Sequence, residues 1–124
     1  MTLVDDGEIP PLLEAFYGRV RSDPLLGSLF NAAIDDWPAH LVRLADFWSS
    51  VMLISGRYKG QPMDAHLRHM DEITPPMFDR WLALWTATTR QHLSAADAIA
   101  MQDKAARIGA SLQGALARAK AAAA

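Results

Sequence analysis

Gly56-Arg57-Tyr58-Lys59-Gly60-Gln61-Pro62-Met63-Asp64-Ala65-His66-Leu67-Arg68-His69 interrupts a chain that otherwise reads as helix on both sides. Two glycines and a proline stop the preceding helix, and the residues from Met63 onward start a short new one that lifts His66 out of the loop. A neutral imidazole binds a metal through one ring nitrogen when the other N–H has an acceptor, and within a short helix a backbone carbonyl is in reach. Two readings of His66 follow, a metal ligand or a surface histidine on a polar turn. The flanking segments bear on which one holds.

Upstream, Asp35-Asp36-Trp37-Pro38 is a helix-start signal. Trp37, Leu41, Leu44, Trp48 and Val51 then fall on one buried stripe, and His40, Leu44 and Phe47 share a face. Nearer the amino terminus, Leu12, Leu13, Phe16, Tyr17 and Val20 recur at helical steps behind Pro10 and Pro11, which suit a first turn. Tyr17 lies in the middle of that stripe. Asp23-Pro24 reads as a cap followed by a helical turn or two from Leu25 to Phe30.

Downstream, Thr74-Pro75-Pro76 starts a helix whose stripe is Phe78, Trp81, Leu82 and Trp85, running to about His92. Ser94 caps the last helix, where Ile99, Met101, Ala105, Ile108, Leu112 and Leu116 keep helical spacing. No segment alternates with period two, so the expected fold is all-α, five or six helices in a single domain over 1–124. The ends, 1–8 and 120–124, are expected to fray.

With 124 residues the chain can bury one core, and 51% hydrophobic with 21% charged residues is ordinary for a globular domain. A net charge of −2 with no basic stripe argues against a nucleic-acid or anionic-membrane surface. Cysteine is absent, which removes disulfides, iron–sulfur clusters, thiolate nucleophiles and zinc–thiolate sites; any metal is left to nitrogen or oxygen ligands. The amino terminus lacks the basic and apolar regions of a signal peptide, and no apolar run is long enough to span a membrane. A cytoplasmic location is expected.

Tyr17, Trp48, Trp81 and Trp85, with Phe30, Phe47 and Phe78, make an aromatic-rich interior. A buried indole or phenol needs a partner for its N–H or O–H, whereas leucine and isoleucine fill space without that demand. A flat aromatic cofactor accounts for both the rings and their donors. A purely structural aromatic core accounts for the rings alone.

Taken in order, Phe16-Tyr17, Asp23-Pro24-Leu25-Leu26-Gly27, Leu29-Phe30, Trp37 with His40, Phe47-Trp48, Gly56 to Pro62 followed by His66, and Phe78 with Trp81-Leu82 resemble the truncated haemoglobins, specifically their third group. The resemblance runs from about Phe16 to Leu112. It implies a two-over-two helical sandwich around one haem b, with His66 the proximal iron ligand and Tyr17, His40, Leu44 and Trp81 lining the distal side. Phe30 and Phe47 would pack on the porphyrin. Arg43, Lys59 and Arg68 are candidates to pair with the propionates. The glycine-pair motifs of the first two groups are missing here, which favours the third. By sequence alone His69, three residues on, competes with His66; only His66 has the family position after Gln61-Pro62. His92 is expected to be solvated near a helix end.

The resemblance further implies reversible binding of O2, NO and CO, tight O2 retention, NO detoxification or peroxidase-like chemistry, and a separate reductase. It does not suggest a dedicated hydrolase or transferase. The competing expectation is a haem-free helical interaction module.

Overall fold

The computed structural model describes residues 4–123, which form six α-helices and one 3-10 turn, and no strand occurs among the described residues. Pro10 and Pro11 occupy the first turn of α1 (Ile9–Ser22), where their missing N–H groups cost nothing. Its inner face carries Ile9, Leu12, Leu13, Phe16, Tyr17 and Val20, all buried. The exit from α1 is pinned by Asp23, whose carboxylate accepts from the Leu25 and Leu26 backbone N–H groups at 3.0 and 3.1 Å and from Arg80 Nε at 2.7 Å. The sequence places a helical turn at Leu25; the chain instead makes a turn first, and α2 (Gly27–Ala33) begins at a glycine. A Cβ there would sit 2.6 Å from the Arg21 carbonyl oxygen, so only glycine lets α2 start this close to α1.

Asp36 caps α3 (Trp37–Leu53) by accepting from Ala39 N at 3.1 Å. The helix ends on Ile54, and α4 (Pro62–Leu67) is the short helix that carries His66. Then α5 (Pro75–His92) and α6 (Ala95–Ala123) complete the chain, with Ser94 Oγ accepting from Asp97 N at 3.2 Å at the start of α6. Helix α1 packs on both α3 and α5, α5 lies along α6, and α4 rests on α6. Two helical pairs, α1 with α3 and α5 with α6, thus enclose the main core.

Trp85, Phe16, Leu12 and Leu13 are fully enclosed in that core. Trp85 spends its single donor on the Met101 carbonyl at 3.2 Å, which removes the cost of burying an indole. A second cluster of Ile73, Phe78, Leu112 and Leu116 receives Met63 and Leu67, and this seats α4 on α6.

Two expectations change. Ile99 belongs by sequence to the inner stripe of α6, but it is 64% exposed, and the inward face runs instead through Ala98, Met101, Ala105, Gly109, Leu112 and Leu116. Fraying was expected at 1–8 and 120–124, and the described residues of those ends, 4–8 and 120–123, hold a turn and a helix. Asp6–Glu8 forms a 3-10 turn with a reciprocal Asp5/Glu8 cap, Val4 is buried, and α6 runs to Ala123 with Lys120 Nζ donating to the Ile73 carbonyl at 2.8 Å. Residues 1–3 and 124 lie outside the described part. Alanine carries the highest helix propensity, so an alanine-rich end extends a helix that is already nucleated.

Two stability predictions arise here. Burial alone would raise the Asp23 carboxyl, but Arg80 and the two backbone N–H groups outweigh it and hold it below the usual carboxylate range. Asp23→Ala leaves those donors without an acceptor and is expected to cost about 1–3 kcal/mol in urea unfolding. Because the folded-state pKa lies below the unfolded one, the wild-type advantage is complete above roughly pH 3.9 and disappears as pH falls through the folded value. The second concerns Ile54, a β-branched residue at φ 57°, ψ 36° and 89% exposed. Ile54→Gly relieves left-handed strain while loosening the unfolded chain, and the midpoint of urea unfolding should rise, with a net gain of about 1 kcal/mol.

Candidate functional site

Pro62 opens α4 at its first position, and one turn later His66 points its Nδ1 back at the Pro62 carbonyl oxygen, 2.7 Å away. A carbonyl only accepts, so Nδ1 carries the hydrogen and Nε2 keeps its lone pair for a metal. The half-buried ring is therefore oriented and its tautomer set by the backbone of its own helix. His69 differs. Helix α4 ends at Leu67, so His69 sits in the following turn, not on the same helical face, and its Nδ1 lies 3.3 Å from the exposed Glu72 carboxylate. Among the described residues no three His, Asp or Glu side chains gather into a metal-binding group. A bare ion needs several protein ligands, whereas a haem iron, already held by four porphyrin nitrogens, needs only one.

Tyr17 is 5% exposed, wedged between Phe16 at 4.7 Å, Trp37 at 5.7 Å and Phe30 at 6.0 Å between ring centroids. Burial pushes its phenol well above the usual value, partly offset by the Trp81 N–H close to its oxygen. The phenol is thus a protonated donor throughout the physiological range. Tyr17 Oη and Trp81 Nε1 lie beside one another, and no side-chain N or O among the described residues is both sealed and unpartnered. Helices α1 and α5 bring these two donors together across Phe16, whose ring lies edge-on to Trp81 at 5.5 Å.

On α3, His40 is half-buried and edge-on to Trp37 at 5.8 Å. Burial, reinforced by the Arg43 charge, holds its pKa below the ordinary 6.5, so the ring is neutral at pH 7. Leu44, Phe47 and Phe30 pack half-buried on the main core. Arg43, Lys59 and Arg68 are exposed.

A cavity of about 410 Å³ opens between α3, α4 and α6. Phe47 and Val51 form one wall, Pro62 and Met63 another, and Ile108 and Leu112 a third, with Lys104 and Arg107 also lining it. It therefore joins Phe47 to the helix turn that orients His66, while Tyr17, His40, Leu44 and Trp81 lie outside its lining. Val51, Ile108 and Leu112 were legible as apolar stripe positions but not as cavity wall. Lys104 and Arg107 carried no signal beyond that of a solvated helix face. The apolar cavity and the imidazole beside it, oriented by the Pro62 carbonyl, are compatible in chemistry with a flat, amphiphilic, iron-bearing ring, while the Tyr17 and Trp81 donors sit apart from this cavity.

No family model matches the chain. A group 3 truncated haemoglobin of Campylobacter jejuni is 35% identical over 86 residues, covering 66% of this chain and 67% of that protein. The crystal structure of a group III truncated haemoglobin from Campylobacter jejuni superposes with a TM-score of 0.82 at 29% identity, over 94% of both chains. With this identity over this span, on the same arrangement of helices, the chain belongs to the truncated haemoglobins, in their third group.

Proposed function

We propose that this globin holds one haem b with His66 Nε2 on the iron, and that it binds O2, NO and CO on the opposite side under Tyr17, His40, Leu44 and Trp81. The observation that carries this reading is the 2.7 Å contact from His66 Nδ1 to the Pro62 carbonyl, which orients the ring and, in the neutral imidazole, leaves the Nε2 lone pair for a metal. Phe30 and Phe47 supply apolar contact to the ring, and Arg43, Lys59 and Arg68 are the cations proposed for its propionates. Ferrous haem, when bound, supplies one open coordination position and shifts negative charge onto O2. The Tyr17 O–H and Trp81 N–H are the donors proposed for that charge, and their proximity supports the reading. Each such hydrogen bond contributes about 1.5–3 kcal/mol, and about 1.4 kcal/mol is tenfold in equilibrium.

Tight retention suits reaction of held O2 with NO better than oxygen delivery, and peroxide reduction is the other chemistry proposed; the first needs electrons from a separate reductase and the second from an oxidisable donor. Among the described residues no helix is long and apolar enough to cross a membrane, and a cytoplasmic setting is proposed. Titration of the purified protein with haem is expected to give a Soret band that saturates at one haem per chain. Absence of that band after reconstitution would favour a haem-free helical module. Stopped-flow mixing of the oxygenated protein with NO, and of the ferric protein with peroxide, then separates the two reactions.

A further inference from the structure

We propose that Trp37 is a positioning residue of the distal pocket, holding the His40 imidazole beside Tyr17, and that Arg21 and Asn31 lock it there from the surface. This role rests on the haem reading above, which puts Tyr17 and His40 over the bound ligand. Trp37 is the first residue of α3 and is 8% exposed. Its ring lies 5.7 Å from that of Tyr17, tilted by 45°, and 5.8 Å from the His40 imidazole at 85°. One indole thus spans from the phenol on α1 to the imidazole one turn further along α3. Tyr17 has other rings against it, Phe16 at 4.7 Å and Phe30 at 6.0 Å. His40 is only half-buried, and the indole set at right angles to it narrows the rotations open to its side chain.

The lock is built at the junction of α1 with α2. Arg21, next to the last residue of α1, sets its guanidinium carbon 4.6 Å above the centre of the Trp37 ring. Asn31 of α2 holds that guanidinium in place: its amide oxygen accepts from Arg21 Nε at 3.1 Å, and its amide N–H donates to the Arg21 carbonyl at 3.2 Å. Arg21 and Asn31 are themselves exposed, so a charged plate tied to two helices covers a buried ring. A cation over an indole at an exposed site shifts an equilibrium by roughly two- to fivefold.

Arg21 therefore acts on the pocket through Trp37. An imidazole that turns away from Tyr17 widens the way in for a diatomic ligand, and the fraction of molecules with the ring turned away depends on how firmly Trp37 stands against it. CO gains little from a hydrogen bond, so its association rate reports access to the pocket more than the strength of the distal donors.

The test is flash photolysis of the haem-loaded ferrous protein under CO, together with nuclear Overhauser contacts between the Trp37 and His40 rings in the diamagnetic CO complex. Those contacts are expected in wild type and weakened in Arg21→Gln, whose CO association should be faster by up to about fivefold. Asn31→Ala should change the rate in the same direction by less, and Trp37→Leu by more. In the Trp37→Leu background, adding Arg21→Gln should change nothing further, because the ring it covers is gone. Unchanged CO association in Arg21→Gln, even with lowered thermal stability, overturns the proposal, as does a further rise when Arg21→Gln is added to Trp37→Leu. Arg21→Gln decides the matter alone if Trp37→Leu does not fold. A protein without a Soret band after reconstitution refutes the haem reading and this role with it, whereas a haem-loaded protein with unmoved kinetics refutes the role alone.

Discussion

His66→Ala is expected to lose haem to a scavenging apoglobin on the order of 100-fold faster than wild type, or more, because even a group that only supports a metal ligand is worth ten- to a hundredfold in affinity. His69→Ala should release haem at the wild-type rate. The two imidazoles are three residues apart in sequence yet differ in what holds them: His66 donates to a carbonyl inside its own helix, while His69 faces a solvated carboxylate past the helix end. A backbone acceptor cannot swing away and fixes the ring against α4. The Glu72 partner, 63% exposed, fixes nothing. Loss of haem also removes its contribution to folding, so thermal unfolding of His66→Ala should coincide with that of the wild-type apoprotein.

Trp81→Phe is expected to speed O2 dissociation by one to two decades, the range that follows from losing a hydrogen bond worth about 1.5–3 kcal/mol to a charged acceptor. Phenylalanine keeps an aromatic ring against Phe16 and Trp85 but has no N–H. CO gains little charge when bound, so its off-rate should change far less. Trp81 is a cleaner probe than Tyr17, whose hydroxyl both donates and accepts and whose oxygen lies next to the same indole N–H. Equal changes for the two gases would mean that the indole acts through its bulk.

The helices were legible because their signals are local. Proline at the first positions of α1, α3, α4 and α5, the Asp36 and Ser94 caps, and large residues at three- and four-residue steps each act within a turn or two of chain. Ile99 misled because the true inner stripe of α6 is built largely from alanine and glycine, which carry little hydrophobic signal beside an isoleucine. The termini misled for a similar reason. What orders them is distant: Arg57 reaches back 51 residues to Asp6 at 2.7 Å, and Lys120 reaches Ile73 across 47.

At the site, the short helix and its histidine were readable from glycine, proline and spacing. Its end at Leu67, which takes His69 off the helical face, was not. Neither was the share of Lys104 and Arg107 in the cavity, since that depends on where α6 crosses α3 and α4. The pairing of Tyr17 with Trp81 likewise exists only once α1 lies on α5. Sequence named those two residues through family resemblance; packing is what sets them side by side.

Which imidazole nitrogen meets the iron decides whether His66 is the proximal ligand. Resonance Raman of the ferrous, ligand-free protein reads that bond directly through the iron–histidine stretch. The band is predicted in wild type and in His69→Ala, absent in His66→Gly, and restored in His66→Gly by free imidazole. A band that survives in His66→Gly without imidazole, or that vanishes in His69→Ala, would contradict it.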